Sequence, residues 1–214
     1  MSSNHVVVVD YGAGNLLSVL RALDKCEASV ELASTPEAVQ AADRLILPGV
    51  GSFGHAMGEL SRRNLVEPLV EKARAGTPFL GICLGMQMLF DDSDEFRLTA
   101  GLGLIPGAVR PVPDRDVGGD TQVVPHIGWG SLVPAPDVDW SESLLADTKS
   151  GSAVYFVHSF AARPADPRDA LAHCMYGGHA LVAVAGRDNV VGTQFHPEKS
   201  GEVGLTMLRS FLRN

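Results

Sequence analysis

Thr77-Pro78-Phe79-Leu80-Gly81-Ile82-Cys83-Leu84-Gly85-Met86-Gln87-Met88-Leu89-Phe90 is an apolar run with one thiol set between two glycines. Its first part, residues 78–82, is short, apolar and preceded by Gly76, which predicts a buried parallel strand. From Leu84 onward apolar residues recur at 84 and 88 and at 86, 89 and 90, a helical spacing that predicts a helix reaching Phe90. Cys83 lies where strand gives way to helix.

Gly81-Ile82-Cys83-Leu84-Gly85 has the Gly-x-nucleophile-x-Gly pattern of a nucleophile elbow, with Cys in place of Ser. Glycines two residues before and after the thiol let the strand and helix backbones pass closely. The thiol is then expected at the carboxyl edge of the sheet, over a helix start whose N–H groups favour a thiolate. The plainer alternative is a small core hydrophobe, the ordinary fate of a free cysteine, but that role does not need the flanking glycines.

At 214 residues the chain fits one α/β domain, residues 1–214, large enough to bury a substantial core. Cys26, Cys83 and Cys174 are far apart, odd in number and match no zinc spacing. A reduced, cytoplasmic protein is expected rather than a disulfide scaffold, with no metal or cofactor. Residues 1–5 lack a basic region and the next apolar stretch is only residues 6–9, so neither a signal peptide nor a membrane span is expected. Seventeen Lys and Arg against twenty-five Asp and Glu give a net charge of -8 without a basic cluster, which argues against nucleic acid as a partner.

Along the chain, residues 5–9, His5 and four β-branched valines, end in Asp10-Tyr11-Gly12-Ala13-Gly14-Asn15, after which Leu16, Leu20 and Leu23 share a helical face. This is a β-loop-α unit with Asn15 at the N-cap and a glycine loop at the carboxyl end of the strand, where open α/β sheets bind ligands. A dinucleotide fingerprint is incomplete there, because Leu17 occupies the place of its third glycine. Residues 30–33 predict a strand, and Thr35 followed by Pro36 predicts a capped helix start. Residues 44–47 predict a strand that runs into Pro48-Gly49-Val50-Gly51-Ser52-Phe53, whose glycines allow unusual φ values and expose backbone N–H groups; a simple turn is the alternative. A helix over 65–74 then leads to the elbow.

The acidic residues 91–95 read as a solvated loop. Beyond Gly101, segments 108–112, 122–124, 129–133, 153–157, 170–175, 180–185 and 190–195 read as short strands, with Gly177-Gly178 in a turn and a closing helix over 203–211. The expected fold is α/β: a mainly parallel central sheet flanked by helices, with antiparallel strands in the second half.

A cysteine nucleophile needs a base within hydrogen-bond reach and a group that orients the base. Among seven histidines, His196 stands at the end of the last predicted strand, in Gly192-Thr193-Gln194-Phe195-His196-Pro197-Glu198-Lys199-Ser200. Pro197 keeps His196 extended, so Glu198, two residues on, projects to the same side and can fix the imidazole's tautomer. A surface histidine beside a helix-capping acid is the alternative.

Residues 81–87 and His196-Pro197-Glu198 together resemble the two signatures of the class I (triad) glutamine amidotransferases, a flavodoxin-like family. Within it, residues 10–15, 48–53, Pro125-His126-Ile127-Gly128-Trp129 and 196–200 resemble the glutaminase subunits of imidazole glycerol phosphate synthases, over essentially the whole chain. Gly130 departs from that pattern, which has Asn after the Trp. The resemblance implies hydrolysis of L-glutamine by Cys83, His196 and Glu198, with an oxyanion hole from the N–H groups of Leu84 and Val50. It implies glutamine contacts from Gly51, Gln87, His158 and Ser159. It also implies a heterodimer with a (β/α)8-barrel cyclase that takes the ammonia for histidine biosynthesis, docked around Asn15, Tyr155 and Lys199.

For His158 a satisfied core histidine is the rival reading, and for Lys199 a solvated lysine at a helix start. The rivals for the whole chain are the glutaminase of another synthase, such as that for pyridoxal phosphate, and a redox or chaperone-like protein whose elbow thiol is oxidised. His196 and Glu198, two residues apart at the last strand, argue against the second.

Overall fold

The computed structural model describes residues 4–12, 15–141 and 143–213; Ala13 and Gly14 of the first glycine loop lie outside the described residues. In chain order the first half comprises β1 (His5–Val9), α1 (Leu16–Lys25), β2 (Ser29–Ala33), α2 (Pro36–Gln40), β3 (Leu45–Gly49), α3 (Phe53–Arg62), α4 (Val66–Arg74), β4 (Phe79–Cys83), α5 (Leu84–Gln87), β5 (Phe90–Ser93), β6 (Thr99–Ala100) and β7 (Ile105–Pro111). There follow β8 (His126–Pro134), β9 (Ala153–His158), β10 (Phe160–Pro164), β11 (Ala170–Tyr176), β12 (His179–Arg187), β13 (Val190–Thr193) and α6 (Gly201–Arg213), with 3-10 turns at Pro167–Asp169 and Pro197–Lys199.

Valines on both faces of β1 account for the layering. Val7 and Val9 pack with Phe53, Leu60 and Leu69 of α3 and α4, while Val6 and Val8 pack with Leu23 of α1 and Leu208 of α6. A strand apolar on both sides needs helices on both sides, which parallel β-α units provide. The main sheet runs β2-β1-β3-β4-β13-β12-β11-β8-β9, parallel from β2 to β13 and antiparallel from there to β9. The α/β fold is therefore the expected one, with antiparallel strands in the second half. Its decisive feature is that β13, last in the chain, lies against β4, with Thr193 opposite Ile82. That pairing brings the residues after β13 beside the elbow thiol.

Several local expectations need correction. The helix after Cys83 is a single turn, and Phe90 turns instead into β5, fully buried and paired with Ile105 of β7. A second sheet, β10-β7-β5-β6, covers this part of the chain, and β5, β6 and β10 have no counterpart in the sequence reading. The acidic stretch is accordingly more than a solvated loop: Asp91 accepts the N–H of Gly107 at 2.8 Å and Asp92 pairs with Arg110 at 2.6 Å. Residues 122–124 form no strand; an isolated bridge between Arg115 and Thr121 closes that loop. Asn15 stands at the N-cap of α1 but makes no side-chain capping bond.

Other expectations hold. Thr35 caps α2 by accepting the N–H of Ala38 at 3.4 Å, and Gly177 and Gly178, at φ 55° and 79°, turn β11 into β12. Gly130 has a packing reason: a Cβ there would lie 2.5 Å from Cys174 Sγ and 3.1 Å from Phe156 Cε2, so its neighbours fill the space an asparagine side chain would need. No helix among the described residues is long and apolar enough to cross a membrane.

Candidate active site

Cys83 ends β4 at φ 55° and ψ -110°, a conformation side-chain-bearing residues avoid and one that aims the side chain out of the strand direction. The turn that follows is pressed onto the central strands. A Cβ on Gly81 would stand 2.7 Å from the carbonyl oxygen of Gly85, and one on Gly85 only 1.8 Å from the carbonyl oxygen of Leu47 in β3. The glycine spacing thus answers to backbone-on-backbone contact between α5 and strands β3 and β4. In the neighbouring loop only Gly51 has a positive φ, 96°; Gly49 is needed for a different reason, since a Cβ there would lie 2.8 Å from the Gly85 nitrogen.

His196 follows β13 in an extended conformation, φ -98° and ψ 98°, as expected before Pro197. Its N–H donates to the Tyr155 carbonyl at 3.0 Å; Ser200 Oγ donates to the His196 carbonyl at 2.6 Å and accepts the Tyr155 N–H at 3.0 Å. These bonds pin the turn against β9. His196 Nδ1 is 2.7 Å from Glu198 Oε1, with the two side chains 3% and 1% exposed. A carboxylate can only accept, so Nδ1 carries the hydrogen and Nε2 is left for Cys83. Burial opposes charge on this imidazole, but its hydrogen bonds to Cys83 and Glu198, and the charges of both, outweigh burial and push its pKa up to about 9.

A cavity of about 390 Å³ opens beside the thiol and brings together Val50, Gly51, Leu84, Gln87, His158 and Ser159 with Cys83, His196 and Lys199. A larger one, about 910 Å³, lies at the opposite ends of β4 and β13 beside Pro78 and Val190 and is lined by none of these groups. Tyr155 and Asn15 do not line the smaller cavity. Tyr155 lies next to it, its ring 6.0 Å from Lys199 Nζ and 5.9 Å from the Trp129 ring, whereas Asn15 sits at the start of α1.

Two expected contacts look inward. Gln87 Nε2 donates to the Phe160 carbonyl at 3.0 Å and to Gln194 Oε1 at 3.1 Å, so only its Oε1 is available to a ligand. His158 has Nδ1 at 2.8 Å from the same carbonyl and Nε2 at 3.1 Å from His126 Nδ1. Burial, and secondarily the nearby His126 and His196, push its pKa down to about 4 against the opposing bond to Phe160, so it is neutral. With a carbonyl as sole acceptor at Nδ1, the tautomers follow: His158 Nδ1–H to Phe160, and His126 Nδ1–H to His158 Nε2. Both ring nitrogens of His158 are thereby satisfied within the protein. It offers the cavity a wall.

Two residues of the site escaped the sequence reading. Glu95 lines the cavity while one of its oxygens accepts the Phe53 N–H at 2.6 Å, capping α3 just after the glycine loop. Nothing in its local pattern separates it from the neighbouring acids. Gln194 is fully buried, with Oε1 accepting from Gln87 and Nε2 3.9 Å from Cys83 Sγ. The alternation that placed Glu198 beside His196 also puts Gln194, two residues earlier, on that side.

The family model for glutamine amidotransferase class-I matches residues 7–214. The chain is 51% identical over 209 residues to the imidazole glycerol phosphate synthase subunit HisH 1 of Legionella pneumophila (strain Lens), covering 97% of this chain and 98% of that protein. It is 42% identical over 207 residues to subunit HisH of Syntrophotalea carbinolica, covering 96% and 98%. Among solved structures, a glutamine amidotransferase superposes with a TM-score of 0.71 at 17% identity, covering 97% of each chain. PurLQS from Thermotoga maritima does so with 0.71 at 20% identity, covering 100% and 99%. These two likenesses speak to the fold.

Proposed function

On the premise that the chain belongs to the class-I glutamine amidotransferase family, we propose that Cys83, His196 and Glu198 carry its chemistry within one glutaminase domain, residues 1–214. The chain is an enzyme, the glutamine-hydrolysing subunit of an imidazole glycerol phosphate synthase, as its 42% and 51% identity to such subunits over nearly full length supports. The observation that carries the site assignment is the buried 2.7 Å His196–Glu198 pair beside a thiol held in an elbow.

The Cys83 thiolate, facing the protonated His196, attacks the side-chain carboxamide carbon of glutamine. The oxyanion is received by the N–H groups of Leu84 and Val50, each such donor typically lowering a barrier by about 3 to 4 kcal/mol. His196 then gives its proton to the nitrogen as the C–N bond breaks, releasing ammonia and leaving a γ-glutamyl thioester. Water, giving a proton to His196, hydrolyses the thioester to glutamate and restores the Cys83 thiolate beside the protonated imidazole. Gly51, Ser159 and the Gln87 Oε1 hold the substrate, with His158 as a wall. Glu95, the acid lining this cavity, faces the α-ammonium group.

Ammonia escaping to bulk water is protonated and ceases to be a nucleophile, so the product needs an enclosed route. The proposed acceptor is a (β/α)8-barrel cyclase docked as a heterodimer over Asn15, Tyr155 and Lys199, in the cytoplasm. The edge position of β9 and the exposure of Ile127 and Trp129 on its neighbour β8, 59% and 61%, support a docking surface here. Glutamate release, measured for the chain alone and with a cyclase subunit carrying its nucleotide ligand, tests this. Stimulation on the order of ten- to a hundredfold is expected. High activity without stimulation would mean a differently partnered glutaminase, and no activity in either state would move the thiol to a redox or binding role.

The pH dependence follows from His196. Protonated, it supplies the acid for departing ammonia; above its pKa of about 9 it does not. The kcat/KM for glutamine should therefore fall as pH rises through about 9. Because the Glu198 bond and charge help to raise that pKa, the fall should move to lower pH in Glu198→Gln. An alkaline limb at the same pH in both proteins would remove Glu198 from its assigned role.

A further inference from the structure

We propose that Gln194 is a further catalytic residue, whose side-chain N–H donates to the Cys83 sulfur once the thiol ionises. This rests on Cys83 being the nucleophile. A chain of unambiguous contacts fixes the orientation of two amides, Gln87 and Gln194. The Phe160 carbonyl can only accept, so the Gln87 atom 3.0 Å from it is the nitrogen. That nitrogen also meets Gln194 at 3.1 Å, so the Gln194 atom facing it is the oxygen. Gln194 Nε2 is thereby turned toward Cys83 Sγ, 3.9 Å away. A flipped Gln194 would set two amide nitrogens against each other and its oxygen against the sulfur.

The surroundings of the sulfur decide what this N–H does. The thiol also lies 3.9 Å from the Val157 carbonyl, to which S–H can donate. When the proton passes to His196 that carbonyl becomes a repulsive neighbour, and the sulfur gains by moving toward donors: His196 on one side, Gln194 on the other. Gln194 is fully buried, its own N–H donates to the Ala183 carbonyl at 2.8 Å, and it stands two residues from His196 along an extended chain. A buried amide whose oxygen is already committed and whose nitrogen faces a thiolate contributes a charge-assisted bond. The same Gln87 that orients Gln194 presents its Oε1 to the substrate cavity, so one amide pair touches both the nucleophile and the glutamine site.

The test is the pH dependence of Cys83 alkylation by iodoacetamide, read by mass spectrometry at the Cys83 peptide, in the full chain and in two variants. Gln194→Met keeps the volume and removes both polar atoms; Gln194→Glu keeps the oxygen that accepts from Gln87 and replaces the N–H with an oxygen. The alkylation midpoint should rise by about one pH unit in Gln194→Met, the equivalent of a tenfold weaker acid, and further in Gln194→Glu. In the unsubstituted protein, the Gln194 side-chain amide proton resonances should shift as Cys83 titrates. That measurement decides the matter even where a variant does not fold. Unchanged midpoints in folded variants, or amide resonances indifferent to the titration, would overturn the proposal. Should Cys83 not be the nucleophile, glutamate release would survive in Cys83→Ala, an outcome separate from any shift in the midpoint.

Discussion

Cys83→Ala is expected to lose glutamate release by a factor on the order of 10⁴ or more, alone and with a cyclase partner, while keeping its fold. The reason is that the thiol is the one group that opens the covalent route; with it gone, the cavity still binds glutamine but offers only water as nucleophile. The fold should survive because alanine at φ 55° bears the same backbone strain as cysteine, and the sulfur's polar contacts, 3.9 Å to Val157 and 3.9 Å to Gln194, are long. The melting temperature should therefore stay within a few degrees of the unsubstituted protein. His196→Gln should fall about as far, and the double variant little further, because nucleophile and base act as one unit and their losses do not add. A discontinuous assay of glutamate with trace contaminating glutaminase excluded is sufficient. Retention of more than about one part in a hundred of the activity in Cys83→Ala would show that the elbow thiol is not the nucleophile.

How much of this was legible in the sequence depended on whether the signal was local. The elbow was, because tight backbone approach admits only glycine at 81 and 85, and its spacing survives in the one-dimensional string. The pairing of His196 with Glu198 was, because Pro197 constrains His196 and strand alternation carries Glu198 with it. What the string did not reveal was where other segments return. Leu89 and Phe90 continue a helical apolar spacing, yet the pairing of Phe90 with Ile105 in a second sheet overrides it. The same return of the chain turns Glu95 from one acid among several into the cap of α3 and a wall of the cavity. His158 lines the cavity, but His126 and Phe160, which satisfy both its nitrogens, are brought there by β8 and β10. Gln194 was readable in principle from the alternation, but its partner Gln87 belongs to the far side of the elbow.

Gly85→Ala should lower the stability of the whole fold by more than about 3 kcal/mol, an effect far larger than one methyl group suggests. The added carbon would fall 1.8 Å from the Leu47 carbonyl oxygen and 2.8 Å from its carbonyl carbon, and both belong to the backbone of β3, an interior strand of the main sheet. No rotamer relieves that clash. Either α5 lifts away from β3, opening the contact that also seats Gly49 and Gly81, or the parallel pairing of β3 with β4 is distorted. Both routes displace Cys83 and the Leu84 N–H, so the folded remainder should also have lost most of its glutaminase activity. Gly58→Ala provides the control: it lies within α3, exposed, with nothing within 4 Å of an added Cβ, and should be stabilising by up to about 1 kcal/mol through its helix propensity. For a chain of this size the Gly85→Ala loss corresponds to a fall in melting temperature of roughly 6–12 °C, against a rise of a few degrees for the control. Equal melting temperatures for the two variants would mean that the elbow does not rest on the central strands, and the strain at Cys83 would have to be held by some other contact.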